Sequence, residues 1–232
     1  MTRSALRHPL LDACGVEHGF GLRGVSPSPR ILRPRQVHGA AVTTPEACTG
    51  QDPAEADAVV SRAAGVAIGV ATADCVPILL ATARGDAVAA VHAGWRGLAR
   101  GVVASGVEAL RRLADPHEPL VAVLGPHIGP CCYEVDRPVL DALEARFPQA
   151  LPGALRPAGR PGHALLDLAL LARAELAAAG IAPAALGAVR DACTCCDAGR
   201  FHSFRRDGAR AGRLLHFITA RSLGAGPAGS QA

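Results

Sequence analysis

Three residues suited to holding a soft metal ion or activating a nucleophile lie at the ends of apolar stretches. They are His38 in RQVHGAAV, Cys75 in ATADCVPILL and His92 in AVHAGWRGLARG. Thiolate and imidazole are both zinc ligands, and three of them with an open fourth position are how zinc activates a water molecule. The three are too far apart in sequence to form a zinc finger. Spacing alone therefore leaves two plain alternatives open, a small core cysteine and a buried histidine. Cys75 as nucleophile with His92 as base would equally serve a metal-free hydrolase or transferase. Beside His92, the glycines around Trp95 leave backbone N–H groups free at a strand-to-helix turn. Arg96 there can clamp a phosphate or carboxylate. Cys75, His92 and Arg96 are thus the candidate catalytic residues. Trp95 either stacks on a substrate base or anchors the core.

Composition removes several chemistries. All 24 Lys+Arg positions are Arg, and Asn is also absent. That excludes Schiff-base enzymes, a P-loop lysine and a Cys-His-Asn triad. The net charge of +4 is modest and aromatic residues make up 3% of the chain. Neither a basic stripe nor a set of stacking platforms for nucleic acid is expected. No apolar run reaches the ~18 residues of a membrane span. The N-terminus has no signal-peptide core, so a cytoplasmic protein with reduced thiols is expected for its eight Cys.

The positioning elements follow from hydrophobic pattern. Residues 57–82 read as Val- and Ile-rich strands interrupted at Thr72-Ala73-Asp74-Cys75, and 87–93 as a short buried strand. A helix is predicted over 97–114, with Leu98, Val102, Val103, Val107, Leu110 and Leu113 on one face. A strand at 119–125 feeds the loop GPHIGPCCYEV, and Asp136 caps a helix running to about Phe147. A second helix is predicted over 165–180, closed by Gly180, then strands at LGAVRD and at 212–220. Residues 1–35 read as irregular. The pattern predicts one α/β or α+β domain with mixed sheets over 1–222 and a disordered tail at 223–232.

The blocks RQVHG, TADCVPILL, AVHAGWRGLARGV, GPHIGPCCYEV, DACT and HSFRRDG, in this order, resemble the YfiH-type laccase-domain family. This family was long labelled multicopper polyphenol oxidoreductase and is associated with purine nucleoside phosphorylase activity. The resemblance runs from about residue 17 to 214. It implies an α+β fold with mixed β-sheets flanked by helices, similar to that of a toxin with a Cys/His pair (a CNF/YfiH-like, Cys-hydrolase-type fold). It also implies a zinc site of His38, Cys75 and His92. The implied reaction is phosphorolysis of adenosine, inosine and methylthioadenosine, with some adenosine deamination. The expected partners are then a purine nucleoside and phosphate. Arg96 would seat the phosphate, Arg205 or Arg206 would close over the site, Trp95 would contact substrate and His127 would protonate the leaving purine. A copper-dependent polyphenol oxidase is the disfavoured alternative, because a trinuclear cluster draws on His-x-His pairs and the nine His here form none.

Two stretches depart from the family pattern. GLRGVSPSPRILRPRQVHG runs straight through where a further segment is usual, which bears on substrate choice, and His202 stands where an aromatic is common. Cys193 and Cys196 form a Cys-x-x-Cys pair, but a structural zinc wants a second spaced pair, and Cys131 and Cys132 are adjacent. Cys193 and Thr194 are therefore expected in the site wall, with Cys195 and Cys196 incidental. Nothing in the sequence fixes the oligomeric state.

Overall fold

The computed structural model describes residues 5–26, 30–115 and 117–222. The tail expected at 223–232 lies outside these residues. The longest Val- and Leu-rich runs become the middle of a six-stranded mixed sheet. Its strands are β2 (Val42–Thr43), β3 (Ala58–Ser61), β5 (Val76–Thr82), β6 (Val88–Ala93), β7 (Leu120–Leu124) and β11 (Leu186–Ala188), in the order β11-β7-β5-β6-β3-β2. The two outer pairs are parallel and the inner ones antiparallel.

Strands β5 and β6 are buried along their whole length. Alternate side chains serve two layers. Ile78, Leu80, Ala89 and Val91 join Val103, Val107 and Leu110 on the helical side. Leu79, Ala81, Val88 and Ala90 meet Ile68, Val70 and Ile218 on the other. That second layer is an antiparallel sheet of β1 (Glu17–Gly19), β12 (Leu214–Thr219) and β4 (Ala67–Thr72). Each fully buried Leu or Ile contributes about 1.5–3 kcal/mol to this sandwich of helix, sheet and sheet. A small third sheet joins β8 (Glu134–Val135), β10 (Ala164–Leu166) and β9 (Leu155–Pro157). The mixed α+β class read from the sequence is the one observed.

Several element boundaries differ from expectation. The helix predicted over 97–114 is two, α2 (Trp95–Ala99) and α3 (Val102–Leu113), because Gly101 takes the left-handed conformation at φ 81°. Arg111 and Arg112 do lie in the last turn of α3. The segment predicted as a helix from 165 begins as strand β10. Asp167 then caps α6 (Leu168–Ala178), its carboxylate accepting from the Leu170 N–H at 3.0 Å. Asp136 precedes α4 (Arg137–Arg146) without a side-chain cap bond. Residues 1–35 are less irregular than expected, holding α1 (Pro9–Ala13) and β1. The remaining helices, α5 (Leu151–Ala154) and α7 (Phe204–Asp207), are single turns. No helix among the described residues is long and apolar enough to cross a membrane.

Candidate active site

Strand register brings the first group of residues together. Val76 of β5 pairs with Ala93 of β6, so the next residues outward, Cys75 and Gly94, face each other. Ala58 of β3 pairs with Val91, which sets Asp57 beside His92. A Cβ on Gly94 would stand 2.8 Å from the Cys75 Sγ and 3.2 Å from the His38 Cδ2. The glycine in VHAGWRG therefore keeps open a cradle that any other side chain would fill.

Asp57 is the organiser that sequence reading missed. It is fully buried. One carboxylate oxygen accepts from the His92 Nδ1 at 2.8 Å and the His38 N–H at 2.9 Å; the other accepts from the N–H groups of Gly39 at 2.6 Å and Val37 at 3.1 Å. This set holds His38 at φ 57°, an unusual conformation for a residue with a side chain. Arg100 fixes the other side of His38 by donating to its carbonyl at 2.9 Å. Gln36 locks the same loop to β4, exchanging two 2.8 Å hydrogen bonds with the Ala71 backbone. With Nδ1 of His92 committed to Asp57, its Nε2 is the nitrogen free for a ligand.

His38 and His92 rings lie 4.8 Å apart, edge to face. One ligand atom from each of His38, Cys75 and His92 falls within 4.8 Å of the others. Burial opposes ionisation of Cys75, but the hydrogen bonds and charge of His38 and His92 outweigh it and bring the thiol down to about 6. Burial likewise opposes protonation of His92, yet Asp57 and Cys75 raise it to about 9. Asp57 is held below the usual carboxylate range: burial acts against this, but His92 and the Gly39 and Val37 amides prevail. The donor set is two nitrogens and a ready thiolate, backed by a buried carboxylate and an open cradle. It fits a zinc ion with room for a further ligand.

His38, Cys75 and His92 line a cavity of about 720 Å³. Trp95, Arg96 and Arg205 line it, as do Arg33, Arg35, Arg213, Tyr133 and Phe204, which sequence reading did not single out. No ion pair engages Arg33, Arg96, Arg205 or Arg213 among the described residues. The Arg96 guanidinium stacks over Trp95 at 4.3 Å from the ring centroid. Arg205 lies over Tyr133 at 5.0 Å and donates to the Glu134 carbonyl at 2.8 Å. Helix α2 is a single turn, so the guanidinium groups rather than a helix dipole make this cavity attractive to anions. The chain's single Trp and single Tyr both face it. Tyr133 escaped sequence reading because its signal is one letter without a period.

His127 is not brought to the cavity. Its Nδ1 contacts the Gly125 carbonyl at 2.7 Å, and its backbone pairs with the 192–194 segment. His216 is fully buried beneath the site, its ring between the Gly21 N–H and Thr72 Oγ1. Burial and the charge of His92 lower it to about 3, so it stays neutral. Asp74, at φ 91°, ties three segments of the wall. Its carboxylate accepts from Thr194 Oγ1 at 2.6 Å and the Arg205 N–H at 2.7 Å, and its carbonyl accepts from the Ile128 N–H at 2.9 Å. Cys131, Cys132, Cys193 and Cys196 gather behind this wall, although their sequence spacing had argued against it.

The chain is similar to known proteins along most of its length. A purine nucleoside phosphorylase of Pseudomonas aeruginosa is 41% identical over 186 residues, covering 79% of this chain and 71% of that one. An adenosine deaminase from an unknown prokaryotic organism is 36% identical over 194 residues, covering 80% and 73%. The crystal structure of YlmD from Geobacillus stearothermophilus superposes with a TM-score of 0.82 at 28% identity, covering 96% of this chain and 98% of that one. Residues 21–221 match the family described as multi-copper polyphenol oxidoreductase laccase, and the chain belongs to that family.

Proposed function

We propose that the protein is a zinc-dependent purine nucleoside phosphorylase acting on adenosine, inosine and methylthioadenosine. The observation that carries this reading is a zinc-competent Cys/His set in a cavity walled by arginines and aromatic rings. A zinc ion held by His38, Cys75 and His92 would supply Lewis-acid polarisation of an oxygen ligand. Arg96, with Arg33 and Arg213 of the same cavity, binds phosphate and orients an oxygen toward the sugar carbon that bears the base. Trp95, Tyr133 and Phe204 offer faces for the purine. As the phosphate oxygen bonds to that carbon, the glycosidic C–N bond breaks, and the base leaves with the proton that hydrogen phosphate gives up. Burial, then the charge of Cys75, pushes the Tyr133 phenol up, so it stays protonated and can donate a hydrogen bond to the departing base. Arg205 holds Tyr133 in place.

The same donor set supports hydrolytic removal of the adenosine amino group as a second activity, in keeping with the deaminase relative. A copper oxidase is named in the family's description but is the weaker reading. Neither Cys/His group among the described residues has the histidines of a trinuclear cluster. The test is to incubate the protein with inosine, with and without phosphate, and follow hypoxanthine and ribose 1-phosphate. Phosphate-dependent release of both is expected. Release without phosphate, or no release from zinc-loaded protein, would overturn phosphorolysis.

A further inference from the structure

The four cysteines behind the cavity wall come from two separate turns. The Gly129–Tyr133 turn is closed by the Cys132 and Tyr133 N–H groups donating to the Gly129 carbonyl at 3.0 and 3.1 Å. It presents Cys131 and Cys132. The 193–197 turn, where the Asp197 N–H donates to the Cys193 carbonyl at 3.2 Å, presents Cys193 and Cys196. His127 and Cys193 bridge the two segments. Sulfur separations are 3.6 Å for Cys131–Cys193, 3.6 Å for Cys131–Cys196 and 3.3 Å for Cys132–Cys196, and all four sulfurs lie within 4.8 Å of one another. The Gly129 N–H points at the Cys193 sulfur at 3.2 Å.

These distances suit a shared metal ion and are too long for a disulfide. Four thiolates ~2.3 Å from a tetrahedral zinc sit ~3.8 Å from each other. A disulfide would bring two sulfurs to ~2.05 Å. Cys131 and Cys196 are exposed, so packing alone does not gather the four sulfurs. The rule that ligands come in spaced pairs applies to one continuous zinc ribbon. Here two turns meet across the fold, and a curled turn lets even adjacent cysteines face the same point.

We infer that Cys131, Cys132, Cys193 and Cys196 form a second, closed metal site that binds zinc or a similarly thiophilic divalent ion and clamps the back of the active-site wall. Each turn leads directly into that wall. Tyr133, which lines the cavity, follows Cys132. Thr194, which holds Asp74 beside Cys75, follows Cys193. Arg205 donates to the Cys132 carbonyl at 3.3 Å, and Arg206 donates to the carbonyls of Thr194 at 2.8 Å and Cys195 at 3.1 Å. The ion is structural: four protein sulfurs fill its coordination, leaving no position for substrate. The inference stands whichever reaction the cavity performs.

The test uses the full chain carrying Cys75→Ser, which disables the cavity site but leaves the cluster intact. Purified, metal-depleted protein is titrated with Co²⁺ anaerobically under reducing conditions. One tightly held equivalent is expected, with intense thiolate-to-cobalt absorption and the visible bands of a tetrahedral ion. Zinc should displace it stoichiometrically. A further Cys132→Ser/Cys196→Ser change should abolish the absorption and lower the Tm measured with metal present. Absence of a tightly held equivalent in the Cys75→Ser chain would overturn the site, and so would cobalt bound without sulfur charge-transfer bands. Mass spectrometry of air-exposed protein that found disulfides among these cysteines despite excess zinc would assign them to redox chemistry and equally overturn it.

Discussion

The two cysteine-containing clusters differ in every respect that separates chemistry from scaffolding. The His38/Cys75/His92 set mixes nitrogen with sulfur, stops at three ligands and opens into a cavity of about 720 Å³. Its histidines are steered from behind by one carboxylate, Asp57. The Cys131/Cys132/Cys193/Cys196 set is all sulfur, has four members and adjoins the surface. Its Cys131 is shifted opposite to Cys75, although within the cluster burial is outweighed at Cys193 by hydrogen bonds from Gly129 and Cys196, which lower it. Burial and neighbouring sulfurs push Cys131 up to about 11, whereas His38 and His92 bring Cys75 down to about 6 against its burial. An incomplete coordination shell facing a cavity serves reaction, and a complete one between two turns serves rigidity.

The largest expected effect breaks the first site alone. Cys75→Ser should lower phosphorolysis on the order of 10³-fold, since Lewis-acid stabilisation is worth several kcal/mol. Steady-state kinetics with matched circular dichroism would check this. Next, Asp57→Asn should weaken zinc binding about 10–100-fold, because the amide N–H₂ must face backbone donors that the carboxylate now accepts. Chelator competition measures that loss, and the cysteine cluster should be unaffected. Arg96→Ala should raise KM for phosphate about tenfold or more, the worth of one charge-assisted hydrogen bond, with little change in KM for nucleoside. Phe204→Ala should do the reverse by roughly tenfold, as one stacking face is lost.

The smallest effect sharpens the contrast in thiol chemistry. In chelated, reduced protein, alkylation mapped by mass spectrometry should report thiolate, the reactive form. Cys75 labelling should rise tenfold per pH unit below about 6 and level off above it, because its folded pKa is depressed. Cys131 labelling should keep rising toward about 11, because its pKa is raised. A Cys75 midpoint near 9 would remove the thiolate–imidazolium pairing from this account.

Much of this was legible in sequence, for reasons that vary by residue. Strands β3 to β7 announced themselves because runs such as VPILL are buried on both faces. The two- and three-residue strands β1, β2 and β8 to β10 are too short to show a period. His38, Cys75, His92, Trp95, Arg96 and Arg205 stand out by type or motif, and the structure brings all six to one cavity. Asp57 looked like any acid at a strand start; only the β3–β6 register reveals that it faces His92. Arg33, Arg35 and Arg213 were lost among the many scattered arginines. Gly101 breaks a helical pattern whose apolar face continues unbroken through it. The four-cysteine cluster was hidden because the contact between its turns is tertiary, and adjacency in sequence argued against it.

The most direct test of the central claim is activity against zinc occupancy. Chelated protein would be reloaded stepwise, and phosphate-dependent hypoxanthine release measured beside bound zinc per chain, in the native chain and in Cys132→Ser/Cys196→Ser. In the double variant, activity should climb in proportion to zinc and saturate at one equivalent. Full turnover at zero zinc, with Cys75 still required, would contradict the claim and leave Cys75 and His92 as a metal-free nucleophile and base.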